Sequence, residues 1–137
     1  MSEAEQTILL LVDDEEVFRV KIRQWIHELI EEQILKDILV PEADSAEEAL
    51  EMIKNNTKIK NVATDNVMLY KTGVNLLLDI EELDPKPKAI LWSSNLLDGT
   101  IEIIEKYTSE VEAYSKPKTR DQLLNIFEKS FPHLLQK

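Results

Sequence analysis

Ile8-Leu9-Leu10-Leu11-Val12-Asp13-Asp14 is the stretch whose reading decides the fold. Five apolar residues in a row read as a strand buried on both faces, as in a parallel sheet. The two carboxylates at its exit then stand at the carboxyl edge of that sheet, where open α/β folds bind ligands. Like charges that close repel unless something positive holds them. A hydrated divalent cation with oxygen ligands meets that need.

The rest of the composition narrows the class. A chain of 137 residues fits one domain, expected to span 1–137 with a core over about 7–131. With 43% hydrophobic residues, it has enough apolar material for a core without staples. There is no cysteine, so disulfides, thiolate metal sites and cysteine nucleophiles are excluded. Met1 to Gln6 carries acids where a signal peptide needs a basic end. The apolar runs are too short to cross a bilayer, and a soluble cytoplasmic protein is expected. The net charge of −11 argues against direct nucleic-acid binding and against adhesion to anionic membranes.

Outward from the opening strand, short apolar segments alternate with helical patterns. The first strand covers about Thr7 to Val12. A helix follows from near Glu16, with Phe18, Ile22, Trp25, Ile26, Leu29 and Ile30 on one face, and extends toward Ile34. The second strand is Ile38 to Ala43. Ser45, with Glu48 three residues on, opens a helix whose inner stripe is Ala46, Ala49, Leu50 and Ile53. The third strand, roughly Lys60 to Thr64, ends at Asp65. A third helix follows Thr72-Gly73, with Val74, Leu77, Leu78, Glu81 and Leu83 on its stripe, and Pro85 and Pro87 end it. The fourth strand is Ala89 to Ser93 and the fourth helix Asp98 to Tyr107. The fifth strand is Val111 to Ser115, and a last helix is capped by Thr119 with Gln122 as its partner. Leu123, Leu124, Ile126 and Phe127 face inward there. Alternating strands and helices with right-handed crossovers predict a doubly wound five-stranded parallel sheet with helices on both faces. Strand order 2-1-3-4-5 is one of two common solutions.

The strand ends supply the chemistry. They carry Asp13 and Asp14, then Asp65, then Ser93 and Ser94, then Lys116 followed by Pro117. In the doubly wound order the crevice lies between the first and third strands, so three carboxylates, a hydroxyl and an ammonium converge. Magnesium takes oxygen ligands and keeps several waters. A carboxylate can serve as a nucleophile toward phosphorus, and an ammonium and a hydroxyl can hold phosphoryl oxygens. Asp65, alone on its strand, is the natural nucleophile, and the pair is better placed as metal holder.

This set, Asp13-Asp14, Asp65, Ser93 and Lys116-Pro117, resembles the receiver (CheY-like) domain of two-component response regulators, from about Thr7 to Phe131. Met68 and Gly73, three and eight residues after Asp65, match that family's loop after the phosphoacceptor. The resemblance implies a flavodoxin-like sheet and Mg2+ on Asp13, Asp14, Asp65 and the Val67 carbonyl. It also implies phosphorylation of Asp65 by a histidine kinase or phosphotransfer protein, with Ser93 and Lys116 sensing the phosphoryl group (the sequence leaves Ser94 open as the working hydroxyl), and a cis bond at Lys116–Pro117. Output is expected through binding an unknown downstream protein, by a stand-alone regulator rather than an enzyme, using the surface around 99–127.

The chain also departs from the family pattern. Leu69 stands where a proline follows the loop methionine. Ala113 stands where a switch aromatic precedes the lysine by three, and strand alternation turns Tyr114 to the opposite face. Val67 cannot orient an attacking water, which predicts a long-lived acyl phosphate. These departures keep a second reading open, a receiver-like interaction module that works without phosphate. His27 is expected to face solvent or to be a satisfied helix histidine, Trp25 and Trp92 to sit in the core, and His133 to have no role.

Overall fold

The structure, a computed structural model, describes residues 6–66, 72–94 and 112–136. Strand β1 (Thr7–Val12) is the centre of the first half of the sheet and is buried from Ile8 onward. Helix α1 (Glu16–Glu31) follows, then the short strands β2 (Ile38–Leu39) and β3 (Glu42–Ala43), and helix α2 (Ala46–Asn55). Next come β4 (Asn61–Asp65), α3 (Gly73–Glu81), β5 (Lys88–Ser93), β6 (Glu112–Ser115) and α4 (Arg120–Ser130), with a 3-10 turn at Pro132–Leu134. The expected fourth helix, Asp98 to Tyr107, lies outside the described residues.

Among the described residues the sheet pairings are all parallel, in the order β2-β1-β4-β5-β6, with β3 also on β1. The α/β class and the parallel sheet are as expected. The strand count is not: the single second strand, Ile38 to Ala43, is two strands. Pro41 has no N–H to give a ladder, and pairing lapses around it. The register survives the break, because Thr7 pairs Ile38 and Leu11 pairs Glu42 with the same offset. Across the gap the Leu11 N–H donates to the Pro41 carbonyl at 3.0 Å.

Alternation along the strands sorts the core into two layers. Ile8, Leu10, Val12, Val62 and Leu91 face α2 and α3, where Ala46, Ala49, Ile53, Leu76, Leu77 and Ile80 meet them. Leu9, Leu11, Ala63, Ile90 and Trp92 face α1 and α4, where Phe18, Ile22, Ile26, Leu29, Leu123, Ile126 and Phe127 pack. Ala113 falls in the first layer and Tyr114 in the second, as alternation predicts. The inner stripe of α3 is displaced from expectation. Leu76, Leu77 and Ile80 are buried, whereas Val74, Leu78 and Leu83 are only partly so. The reason is a full capping box between Thr72 and Asn75, which starts the helix at Gly73 and sets its rotation. Ser45 and Thr119 cap α2 and α4 by accepting from the Glu48 and Gln122 N–H groups. Gln122 turns its own carbonyl to the Lys118 N–H instead of closing a box.

The stretch after α1 is tied to the last described residues of the chain. Gln33 adopts φ 62 and reverses the chain. Leu35 then pairs antiparallel with Leu135, Lys36 N–H donates to Leu134, and Gln136 N–H donates to Ile34. Trp25 is half-buried rather than core, with the Lys21 ammonium 5.9 Å from its ring, while Trp92 is fully buried. His27 is exposed and lies 3.5 Å from Glu31. Lys116–Pro117, expected cis, is trans, and the cis bond among the described residues is Asp84–Pro85. A bond whose two isomers differ by so little follows its local surroundings rather than a family habit.

Candidate functional site

Parallel strands side by side end on the same edge, and that brings the acids together. Val12 pairs Thr64, so the residues that follow, Asp13 and Asp65, leave the sheet as neighbours. Asp65 is the last residue of β4, in register with Trp92. Oxygens of Asp13, Asp14 and Asp65 lie within 4.8 Å of one another. Asp13 and Asp65 are buried and Asp14 is exposed. The pair is therefore asymmetric: one carboxylate is built into the floor and the other opens to solvent.

Lys116 closes the set from the end of β6. Its N–H donates to the Ser93 carbonyl at 3.0 Å, which anchors the residue beside β5. Its ammonium lies 2.8 Å from Asp13 Oδ2 and 3.6 Å from Asp65 Oδ1. The other oxygen of Asp13 accepts from the Glu15 N–H at 2.8 Å. Ser93 is buried at the end of β5 and Ser94 is exposed, so of the two hydroxyls left open by the sequence Ser93 belongs to the sheet edge. Val67, expected to give a carbonyl, lies outside the described residues, as do Met68 and Leu69.

Two buried carboxylates share this space, and the electrostatics reflect it. Burial, then the charge of Asp13, pushes Asp65 up to about 6 against the opposing pull of Lys116. Burial also raises Asp13, which its bond to Lys116 resists. Burial alone would lower Lys116, but the bond to Asp13 and the charges of Asp13 and Asp65 raise it. The ammonium thus half-neutralises a cluster that has room for more positive charge.

Three neighbours were not legible as site residues. The Arg19 guanidinium donates to the Asp13 carbonyl at 2.5 Å and to Glu42 at 2.9 Å, clamping the end of β1 to β3. Phe18, read as core, places its ring centroid 4.3 Å from the Lys116 ammonium. Trp92 meets that ring edge-on at 5.7 Å. The available signal was position: residues one turn into α1 come back over the acids that precede it. Gly73 is a fourth constraint. A β-carbon there would overlap the Asp65 carbonyl oxygen and stand 2.8 Å from the Leu91 side chain. Its N–H donates to Asn66 at 2.8 Å. His133, expected to have no role, hydrogen-bonds buried Asn61 at 2.7 Å at the far end of β4. A groove of about 760 Å³ between α2 and the β2 edge is lined by Ile8, Val40, Met52 and Ile59, and none of the three acids reaches it.

No protein-family model matches the chain. It is 38% identical over 88 residues to Protein CcdB of Bacillus subtilis (strain 168), an alignment covering 64% of this chain and 68% of that protein. Among solved structures it is similar to the signal receiver domain of an HD domain-containing protein from Pseudomonas fluorescens Pf-5. That match has a TM-score of 0.79 at 20% identity and covers 98% of this chain and 93% of the other. A response regulator receiver protein from Pseudomonas putida matches with TM-score 0.75 at 23% identity, covering 93% and 99%. The Vibrio cholerae chemotaxis protein CheY4 matches with TM-score 0.75 at 14% identity, covering 92% and 99%. The edge where Asp13, Asp14, Asp65 and Lys116 meet thus sits on a fold shared with signal receivers, and the chain belongs to one family with Protein CcdB of Bacillus subtilis, built as a CheY-like receiver domain.

Proposed function

We propose that the chain is a response-regulator receiver that takes a phosphoryl group on Asp65 with Mg2+ bound beside it. The observation that carries this is the convergence of three carboxylates from two strands with one ammonium at the carboxyl edge of the sheet. The donor set is all oxygen, which suits Mg2+; burial first and the charge of Asp13 second raise Asp65, and a divalent cation would offset both. Asp13, Asp14, Asp65 and the Val67 carbonyl would hold the ion. When bound, it supplies positive charge to the transferring phosphoryl oxygens.

The chain's own residues do the rest. An Asp65 carboxylate oxygen attacks phosphorus in a phosphohistidine donor. The phosphorus–nitrogen bond breaks and the imidazole leaves, so the negative charge passes to the new acyl phosphate. Lys116, freed from part of its pairing with Asp13, takes a phosphoryl oxygen by a charge-assisted bond. The Ser93 hydroxyl takes another. The donor is a histidine kinase or a phosphotransfer protein, and the output is contact with a downstream protein in the cytoplasm by a single domain, 1–137. No nucleic acid or membrane partner is invoked, in keeping with the net charge of −11.

The test is mass spectrometry of the protein after acetyl phosphate and Mg2+. A phosphoryl adduct lost in Asp65→Asn supports the reading. An unmodified wild type sinks it.

One observation favours a second reading, an interaction module independent of phosphate. Ala113 occupies the switch position, and Tyr114 is turned to the other layer, where its hydroxyl lies 2.6 Å from buried Ser130. That tyrosine is tied down and does not face Ser93. Under this reading a partner binds equally well to wild type and Asp65→Asn.

A further inference from the structure

Lys116 is held from two sides by unlike partners. On one side are Asp13, at 2.8 Å, and Asp65, at 3.6 Å. On the other is the Phe18 ring, whose centroid lies 4.3 Å from the ammonium, within the range of a cation–π contact. The ring is itself fixed. Trp92, fully buried on β5, meets it at 5.7 Å with an interplanar angle of 86°, and Trp92 is the register partner of Asp65. A continuous path therefore runs from the β4–β5 ladder through Trp92 and Phe18 to the ammonium.

The two holds respond differently to a second cation. An ion seated among the carboxylates competes directly for Asp13 and weakens the hold of that side on Lys116. The π face of Phe18 carries no formal charge and is a poor ligand for a strongly hydrated ion, so its hold persists. We infer that Phe18 is a positioning residue: its ring keeps the Lys116 ammonium beside Asp65 once Asp13 is committed to a metal. The inference rests on the phosphoacceptor reading. It goes beyond that reading by assigning to an apolar core residue the task of aiming the cation.

The expected consequence is specific. Weakening the π face leaves the metal-free pairing of Lys116 with Asp13 in place, yet lowers affinity for a phosphoryl analogue in the presence of Mg2+. A cation–π contact of ordinary strength corresponds to roughly a twofold to thirtyfold change. The test compares wild type, Phe18→Leu, and a chain carrying trifluorinated phenylalanine at position 18, each titrated with beryllofluoride in saturating Mg2+. Fluorination keeps the ring shape and its packing on Trp92 while withdrawing charge from its face. The inference expects the fluorinated chain to lose affinity within that range with an unchanged unfolding midpoint. A fluorinated chain that binds like wild type overturns it, whatever Phe18→Leu does. A wild type that binds no beryllofluoride overturns the phosphoacceptor reading and this inference with it, so the two failures are told apart by the wild-type titration alone.

Discussion

Gly73 and Asp65 touch backbone to backbone: the α-carbon at the start of α3 lies so close to the Asp65 carbonyl that no β-carbon fits between them. The same glycine donates its N–H to Asn66, and Val74 donates to the Asn66 side chain at 3.3 Å. The residue that ends β4 is thereby sewn to the first turn of the next helix. Gly73→Ala must push α3 away from the strand end. We expect a loss of about 1–3 kcal/mol in stability, the cost of overpacking a tight site, together with slower phosphorylation because Asp65 moves. A denaturant midpoint within error of wild type would show that the contact yields freely.

The Asp65 carboxyl titrates at about 6, above its ordinary 3.8. Between these values the folded protein binds more protons than the unfolded chain, so stability falls as pH rises from about 4 to about 6. Without metal, Asp65→Asn should therefore raise the thermal midpoint at pH 7.5, by an amount corresponding to at most about 3 kcal/mol. It should also flatten the pH slope, leaving the smaller part due to Asp13. Adding Mg2+ should stabilise wild type more than the variant. Thermal melts across pH 4 to 8 with and without Mg2+ check both expectations, and a wild type equally stable at pH 5 and pH 7.5 contradicts them.

Removal of Lys116 leaves Asp13 and Asp65 buried with no cation between them. Lys116→Ala should cost on the order of 3 kcal/mol at pH 7.5, as for breaking a buried pair. The loss should shrink toward pH 5, where the acids take up protons, and shrink again with Mg2+. A pH-independent loss would assign the effect to packing on Phe18 instead.

His133 stands 2.7 Å from Asn61, whose side-chain amide also donates to the Ile8 carbonyl at 3.0 Å. Burial, then Lys88 and Lys36, holds His133 below its usual 6.5. A depressed histidine favours the fold above its unfolded value and loses that contribution as pH falls through 6.5. His133→Ala should destabilise by about 1–2 kcal/mol at pH 7.5 by stranding a polar group of Asn61, with less effect at pH 5.5. Equal losses at both values would contradict the assignment.

Val67, two residues after Asp65, offers no polar group to orient water. The acyl phosphate of wild type should accordingly be long-lived, and Val67→Asn should shorten it several-fold. Decay of the phosphorylated protein followed by mass gives both rates, and rapid loss from wild type would end the argument.

Local patterns carried much of the fold. The apolar run into Asp13-Asp14, the three-four spacing of Phe18, Ile22, Ile26 and Leu29, and the caps at Ser45 and Thr119 are all short-range. Side-chain periodicity and capping are properties of consecutive residues, so they are readable without a structure. The list of strand-end residues follows from the same pattern, which is why Asp13, Asp14, Asp65, Ser93 and Lys116 could be named in advance. Alternation alone also placed Ala113 and Tyr114 on opposite faces.

Tertiary structure decided what depends on distant partners. Whether Ser93 or Ser94 sits inward required the pairing of β5 with β6. That Phe18 faces an ammonium as well as the core required Lys116, just past β6, to reach across the strand ends to Asp13 at β1's exit. The antiparallel pairing of Leu35 with Leu135 and the bond between His133 and Asn61 join residues far apart in the chain, and no local repeat announces such contacts. The sequence by itself determined which elements form and which chemistry stands at their ends, because those are set by neighbours along the chain. How the ends face one another was set by packing the two layers on one sheet, where burial of apolar faces fixes each helix's rotation and so aims every side chain at the edge.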